Sequence, residues 1–337
     1  MAALHGHVRC SPESLVWKCT RCQTYLGAGG SRTEGRRVGL WLAVLTLALV
    51  LVALKPIRGA LSFSKQADPL ILLLLVGTLA AFVRRRDGWA AVVLALAVAV
   101  KPFLAILGLW LLWKRAYRAV LLAGGLSAVL VLGPLVALGR LGEYVEVAAY
   151  WSGPAMVASP VSQSLASLLD RTLIAQPYTA PLVVAPWLVA PLWLGVGLCL
   201  LGLLAVTVQR SRSGPPLDHT LEFGLVVAAM LVFGPLTEEH HLAYLVPGLA
   251  ATLAAGVVGW RGSRAARWIA VLTAALVAVM MLPGTQDVAW GFYRYQERPI
   301  SPPLSLVTGF WLYVIVAALV LNVAALRLRR QNVGSRT

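Results

Sequence analysis

The chain has 337 residues, of which 59% are hydrophobic and only 12% are charged. Soluble globular proteins are about 45–50% apolar and about 25% charged, so this composition excludes an ordinary soluble fold. The net charge of +16 would suit a nucleic-acid partner. However, the basic residues lie beside apolar runs and form no separate basic domain, so we expect no nucleic-acid binding.

The apolar residues are concentrated in long runs that are nearly free of charge. A helix that crosses the hydrocarbon layer needs about 20 apolar residues, and these runs are continuous where a membrane strand would alternate. The sequence therefore predicts an all-α, polytopic transmembrane helical bundle. It has about eight full spans, at residues 38–54, 68–83, 116–138, 182–208, 220–236, 241–260, 268–283 and 304–326.

Basic residues predict the topology, because cytoplasmic loops are enriched in Lys and Arg. Most of the 29 Lys and Arg residues lie in the polar N-terminal segment or directly beside a span, so we expect both termini in the cytoplasm. No cleavable signal peptide is expected, and the first span should act as a signal-anchor. The excess of Arg over Lys suggests a GC-rich genome and a bacterial plasma membrane. The predicted parts are a cytoplasmic tail (1–37), a transmembrane domain (38–326) with an external loop (139–181), and a basic cytoplasmic tail (327–337).

Residues 88–113 have basic flanks on both sides, so the chain should enter the membrane and return. Each half is too short to cross alone. Pro102 disfavours helix at the residue before it, and we predict a pair of short helices that meet at Lys101-Pro102. Lys101 lies far from both basic flanks. It either binds the phosphate of a lipid-linked substrate or extends to the outer interface as an ordinary helix end.

The external loop contains apolar residues at helical spacing, which predicts an amphipathic helix at the interface. Ser159-Pro160 is a suitable start, with Pro at the first helical position. Gln163 and Ser164 offer uncharged donors and acceptors suited to sugar hydroxyls, and with Arg171 they are candidates for substrate binding. A solvated helix face is the alternative explanation.

The segment Thr237-Glu238-Glu239-His240-His241 lies between two spans, on the expected outer side. Ionisable residues near the membrane are costly and suggest function. A carboxylate beside two imidazoles can transfer protons or position an anion. Alternatively, Thr237 caps the next helix and the two acids complement its N-terminal dipole. Capping would explain the acids but not the adjacent histidines.

Cys19 and Cys22 form a C-x-x-C pair in the N-terminal tail. With Cys10 and nearby histidines they have the ligand types of a small zinc site, although a second convincing pair is missing. An unstructured tail is the favoured interpretation.

Four short segments resemble glycosyltransferase family 87, whose members are polyprenyl-phosphate-mannose-dependent mannosyltransferases of the GT-C class in actinobacteria. Lys101-Pro102-Phe103 resembles its lysine-proline element, and Glu239-His240-His241 resembles its Trp-Glu-His-His motif. Gln66 with Asp68 is similar to its Gly-Gln-x-Asn segment. Gln163-Ser164-Leu165 is similar to its Asn-Gln-Ser-Leu external helix.

The resemblance implies a GT-C-like fold and a membrane glycosyltransferase. Such an enzyme would move a hexose, here mannose, from a polyprenyl-phosphate donor to a lipid or glycan acceptor on the external face, with no nucleotide cofactor. A carboxylate base would activate the acceptor hydroxyl. The resemblance makes Glu239, His240 and His241 the catalytic candidates, Lys101 the phosphate ligand, and Gln66 and Gln163 binding residues.

Several features depart from the family pattern. Lys65, Asp68 and Glu238 stand where the family motifs have Gly, Asn and Trp. GT-C enzymes usually carry an acidic residue in the first external loop, and residues 55–67 contain none, so the chain resembles an N-terminally truncated member. Two rival interpretations stay open: a polytopic transporter or flippase, and a catalytically inactive remnant of the family.

Overall fold

The computed structural model describes residues 50–62, 66–151, 153–157, 159, 161–176, 178–282, 299–301 and 306–334. The predicted cytoplasmic tail with Cys10, Cys19 and Cys22, and most of the predicted first span, lie outside these residues. The described residues from Val52 onward belong to one structural unit.

The described part of the chain consists of helices and short connections. The α-helices are α1 (Lys55–Ser62), α2 (Asp68–Val83), α3 (Asp87–Val100), α4 (Leu107–Trp113), α5 (Tyr117–Ala137), α6 (Leu141–Trp151), α7 (Pro154–Val157), α8 (Leu165–Leu173), α9 (Val189–Thr207), α10 (Pro216–Phe233), α11 (Val246–Val258), α12 (Arg264–Val279) and α13 (Phe310–Gly334). Three 3₁₀ helices are η1 (Pro102–Ile106), η2 (Pro186–Leu188) and η3 (Glu239–Leu245).

Five of the helices, counted with their attached 3₁₀ turns, are long and apolar enough to cross a membrane. They are α5, η2 with α9, α10, η3 with α11, and α13. The helices α2, α3 and η1 with α4 are apolar but shorter. The all-α class and the membrane character are therefore confirmed, whereas the count of about eight spans stays a prediction.

The centre of the bundle is built by α10, α11 and α13, which bury most of their surface against other helices, in contrast to α5 and α9. Two glycines allow α10 and α11 to approach closely: a Cβ added at Gly224 would lie 2.4 Å from the Cα of Gly248. Asn322 of α13 reaches the same contact, where its Oδ1 accepts a hydrogen bond from Thr252 at 3.2 Å. Small residues and buried polar side chains are typical of helix contacts in membranes.

The predicted break at Lys101-Pro102 is present. Helix α3 ends at Val100, Lys101 has an extended backbone (φ −135°, ψ 96°), and Pro102 begins η1. The proline cannot donate to the preceding turn, so the chain reverses here and α4 leads away. As a result, Lys101 lies at the end of α3 that is next to the start of α2, where it meets Asp68.

Ion pairs bring the basic segments together at the opposite end of the bundle. Arg212 bonds Asp87 at 3.1 Å, and Arg330 bonds Glu222 at 3.0 Å. Lys114 also bonds Glu222 in a fully buried contact. We call this end the basic end, and the end that carries Lys101 and His240 the motif end. That the basic end faces the cytoplasm stays a prediction from charge.

The loop that was predicted to be external (139–181) differs from prediction in its helix start. Helix α8 begins at Leu165, and its N-cap is Ser164, whose Oγ accepts from the backbone N–H of Ser167 at 3.2 Å. The prediction of a start at Ser159-Pro160 is wrong, because a serine hydroxyl that reaches an N-terminal amide defines the cap. Gln163 and Ser164 are also fully buried, so the solvated-face explanation does not apply to them.

Candidate functional site at the motif end

The motif end holds a buried cluster built around Asp68, the first residue of α2. The Lys101 ammonium donates to both carboxylate oxygens of Asp68, at 2.9 and 3.1 Å. The hydroxyl of Tyr244 donates to the same carboxylate. Asp68 is 0% exposed, and its charge is therefore balanced within the protein by Lys101.

His240 lies between two carboxylates. Its Nε2 is 3.5 Å from Asp68 Oδ2, and its Nδ1 is 3.4 Å from Glu238 Oε2. An imidazole in this position can pass a proton from one side of its ring to the other. Burial raises the pKa of Glu238, with a smaller opposing effect from Lys101. A carboxylate with a raised pKa is a stronger base than an exposed one.

His241 faces two donors at once. Its Nδ1 accepts the backbone N–H of Glu238 at 3.1 Å, and its Nε2 lies 2.8 Å from the Lys101 ammonium. A neutral imidazole has only one acceptor nitrogen. The backbone N–H of Glu238 can only donate, so Nδ1 is the acceptor nitrogen and Nε2 carries the proton. The Lys101 ammonium can also only donate, so Nε2–H and the ammonium face each other with no acceptor. An anionic oxygen beside this contact, within hydrogen-bond distance of both nitrogens, would accept from both and remove this conflict.

Exposure separates the groups that can reach a ligand from those that cannot. Asp68 and Tyr244 are both 0% exposed. The side chains of Lys101, Glu238 and His240 are 14%, 18% and 9% exposed. The fully buried pair therefore positions the cluster, whereas Lys101, Glu238 and His240 present an ammonium, a carboxylate and an imidazole at its surface. His241 is 5% exposed and contacts Lys101 directly, so a ligand held by the ammonium would also lie near its Nε2.

Glu239, a catalytic candidate from the sequence, points away from this cluster. Its carboxylate bonds Lys55 of α1 at 3.0 Å. The structure thus brings Glu238, and not Glu239, next to His240.

The capping expectation for this segment needs correction. Helix α10 ends at Phe233 with Gly234 as its C-cap, three residues before the end of the predicted span at 236. Thr237 does not cap the next helix, because its hydroxyl donates to the Leu231 carbonyl at 2.7 Å. Glu238 is the N-cap of η3, in a reciprocal capping box with His241. His241 therefore has a structural partner as well as its contact with Lys101.

The loop that was predicted to be external packs against the chain that leads into the motif. The backbone N–H of Gln163 donates to the Thr237 carbonyl, and Ser164 Oγ donates to the Pro235 carbonyl at 3.0 Å. Arg171 is fully buried and donates to the carbonyls of Ser159 and Ser162, at 3.0 and 2.7 Å. Burial lowers the pKa of Arg171 to about 10. These residues order the loop, and their hydrogen bonds reach the motif segment through its backbone.

Gln66 is exposed just before α2, and its backbone N–H donates to Ala60. It lies two residues from Asp68, but no hydrogen bond joins its side chain to the described residues of the cluster.

The ligand atoms of Asp68, His240 and His241 lie within 4.8 Å of one another, which is close enough to share a metal ion. The Lys101 ammonium already contacts both Asp68 and His241. A metal ion here would have to displace that ammonium, so the positive charge of this site is the lysine itself.

Asp68 is a member of the cluster that was not among the predicted site residues. It stands where the family motif has an asparagine, just after residues 55–67, which contain no acid. An available signal was the position itself, because an ionisable residue that opens an otherwise apolar helix is costly unless it is paired.

These features define a polytopic membrane protein with a buried ionic cluster at one end. The family model of glycosyltransferase family 87 matches residues 10–237. The chain belongs to this family. Asp68 and Lys101 lie inside the matched region, and Glu238, His240 and His241 follow directly after it.

The chain is also similar to a curated protein of Mycobacterium tuberculosis named polyprenol-phosphate-mannose-dependent alpha-(1-2)-phosphatidylinositol mannoside mannosyltransferase. The two are 28% identical over 249 residues, which is 72% of this chain and 52% of the relative. The chain thus spans about half the length of that relative. No solved structure matches the chain.

Proposed function

We propose that this chain is a membrane glycosyltransferase that moves a hexose, mannose, from a polyprenyl-phosphate donor to a glycolipid or glycan acceptor. The reaction would take place at the motif end, on the external side of a bacterial plasma membrane. The observation that carries the proposal is the buried Asp68–Lys101–His241 cluster, with its ammonium and imidazole poised for an anion. Family membership and the donor class in the relative's name support the choice of substrate.

Lys101 and His241 would bind the donor phosphate. A phosphate oxygen beside this contact, within hydrogen-bond distance of both nitrogens, would accept from the ammonium and from the N–H at Nε2 of His241, and so satisfy both groups. Asp68 holds Lys101 in place, because the two oxygens of Asp68 accept from it at 2.9 and 3.1 Å. Positive groups fixed in advance at a departing phosphate stabilise the charge that develops as the glycosidic bond breaks.

Glu238 would act as the general base. The acceptor oxygen attacks the anomeric carbon, the bond from that carbon to the phosphate oxygen breaks, and the hydroxyl proton passes to Glu238. Attack opposite the leaving phosphate inverts the anomeric centre. Glu238 suits this role better than Glu239, because burial raises its pKa, whereas Lys55 neutralises Glu239. His240 would orient Glu238 and link it to Asp68.

The test replaces Lys101 and measures donor binding apart from transfer. Lys101→Ala should weaken binding of a polyprenyl-phosphate-mannose analogue and abolish transfer. Lys101→Arg should retain part of both, because it keeps the charge but changes its shape. Arg118→Ala, an exposed charge at the basic end, is the matched control and should behave as wild type. Unaltered binding and transfer in Lys101→Ala would refute the assignment.

A further inference from the structure

The basic end contains a second site that the proposed transfer does not use. A cavity of about 410 Å³ is lined by Lys114, Arg115, Arg210, Ser211 and Arg212. An apolar groove of about 600 Å³ runs between α4, α9 and α10. Trp113 and Val208 line the groove at its basic end; Trp113 directly precedes the cavity residue Lys114, and Val208 lies two positions before Arg210. A hydrogen bond of 2.9 Å from Trp113 Nε1 to the Val208 carbonyl joins the two walls.

Some of the basic side chains in the cavity are paired with carboxylates and others are not. Lys114 is paired with Glu222, and Arg212 is paired with Asp87. Among the residues that the structure describes, Arg115 and Arg210 form no ion pair with a carboxylate. Arg210 lies over the ring of Trp113, with its guanidinium carbon 4.4 Å from the ring centre. Two guanidinium groups are thus available at one end of an apolar groove.

The backbone of Arg115 adds to this argument. It has φ 56°, in the left-handed region. A residue with a side chain is strained there, and glycine would avoid the strain. Arg85 has the same φ in the turn between α2 and α3, but its guanidinium is used, because it donates to the Arg212 carbonyl at 2.9 Å. Arg115 lines the cavity, and among the described residues its guanidinium has no equivalent partner.

We propose that this cavity and groove bind one anionic glycerophospholipid, with its phosphodiester at Arg115 and Arg210 and an acyl chain in the groove. Guanidinium groups match phosphate in charge and geometry. The groove follows α9 from Leu194 to Val208, which is about 21 Å at 1.5 Å per residue. A leaflet of the hydrocarbon layer is about 15 Å thick, so the groove accommodates a chain of leaflet length. If the basic end faces the cytoplasm, the lipid comes from the inner leaflet.

The experiment compares lipid retention by native mass spectrometry of the full chain, released from detergent with phosphatidylglycerol or phosphatidylcholine. We expect one phosphatidylglycerol per chain, held at least about tenfold more tightly than phosphatidylcholine, which corresponds to about 1.4 kcal/mol. Arg115→Ala with Arg210→Ala should remove this preference. Arg118→Ala with Arg261→Ala, two exposed arginines away from the cavity, should keep it.

A second variant tests the groove with all charges intact. Ala205 is exposed and lines the groove, so Ala205→Trp should fill it and reduce retention of both lipids. Equal retention in the arginine pair variant and its control would overturn the headgroup site. Wild-type retention in Ala205→Trp would overturn the acyl groove. Displacement of phosphatidylglycerol by equimolar polyprenyl phosphate would show that the site takes an isoprenoid lipid, and would also overturn the proposal.

Discussion

Separating Asp68 from Lys101 should destabilise the protein far more than removing both charges together. Asp68 is 0% exposed and Lys101 is 14% exposed. Breaking a buried ion pair by removing one partner costs about 3–5 kcal/mol, because the other charge stays buried alone. We expect about 3 kcal/mol for Lys101→Met, since Tyr244 and His240 still contact Asp68. Asp68→Asn should cost a similar amount.

The double variant should recover part of this loss, with a coupling energy of about 2 kcal/mol. The assay is equilibrium unfolding of wild type, the two single variants and the double variant in mixed micelles, monitored by the loss of helical circular dichroism. The exposed pair of Arg140 and Glu143 is the matched control. Its double-mutant cycle should give a coupling energy of about 0–1 kcal/mol. Additive effects at Asp68 and Lys101, within about 0.5 kcal/mol, would refute the view that the two form a buried pair.

Three other perturbations follow from local geometry. Ser164→Ala should cost about 1 kcal/mol of stability, because α8 loses its cap. It should also speed proteolysis of the loop that contains α8, and an unchanged cleavage rate would contradict the capping role of Ser164. Transfer should fall at low pH as Glu238 is protonated. The fall should occur at a pH above the ordinary glutamate value, because burial raises the pKa of Glu238. Glu238→Gln should leave too little activity to show this loss. Gly224→Leu should prevent folding, because its Cβ would lie 2.4 Å from Gly248 Cα, whereas Gly125→Leu points into open space and should fold.

Features that depend on neighbouring residues could be predicted from the sequence. The break at Lys101-Pro102 follows from the conformation that proline imposes on the residue before it. The end of α10 at Phe233 follows from Gly234-Pro235. The clustering of the basic segments at one end follows from charge placement beside apolar runs. Each of these inferences needs only a few adjacent residues.

Features that depend on distant partners could not be predicted. Asp68 acquires its role from Lys101, 33 positions away, and from Tyr244, 176 positions away. The difference between Glu238 and Glu239 depends on which way η3 turns each side chain, towards His240 or towards Lys55. The role of Thr237 was also ambiguous, because its hydroxyl donates to the Leu231 carbonyl of the preceding helix and does not cap the next one.

The most direct test of the account is sugar transfer by the purified chain in liposomes. The liposomes would contain a labelled polyprenyl-phosphate-mannose donor and a glycolipid acceptor, and the labelled product would be measured for wild type, Glu238→Gln and Glu239→Gln. Wild type should form product. The rate of Glu238→Gln should fall at least about a hundredfold, as removal of a general base does. Glu239→Gln should keep most of the wild-type rate. The account would be contradicted if wild type formed no product while labelled lipid crossed the bilayer, or if Glu238→Gln transferred mannose as fast as wild type.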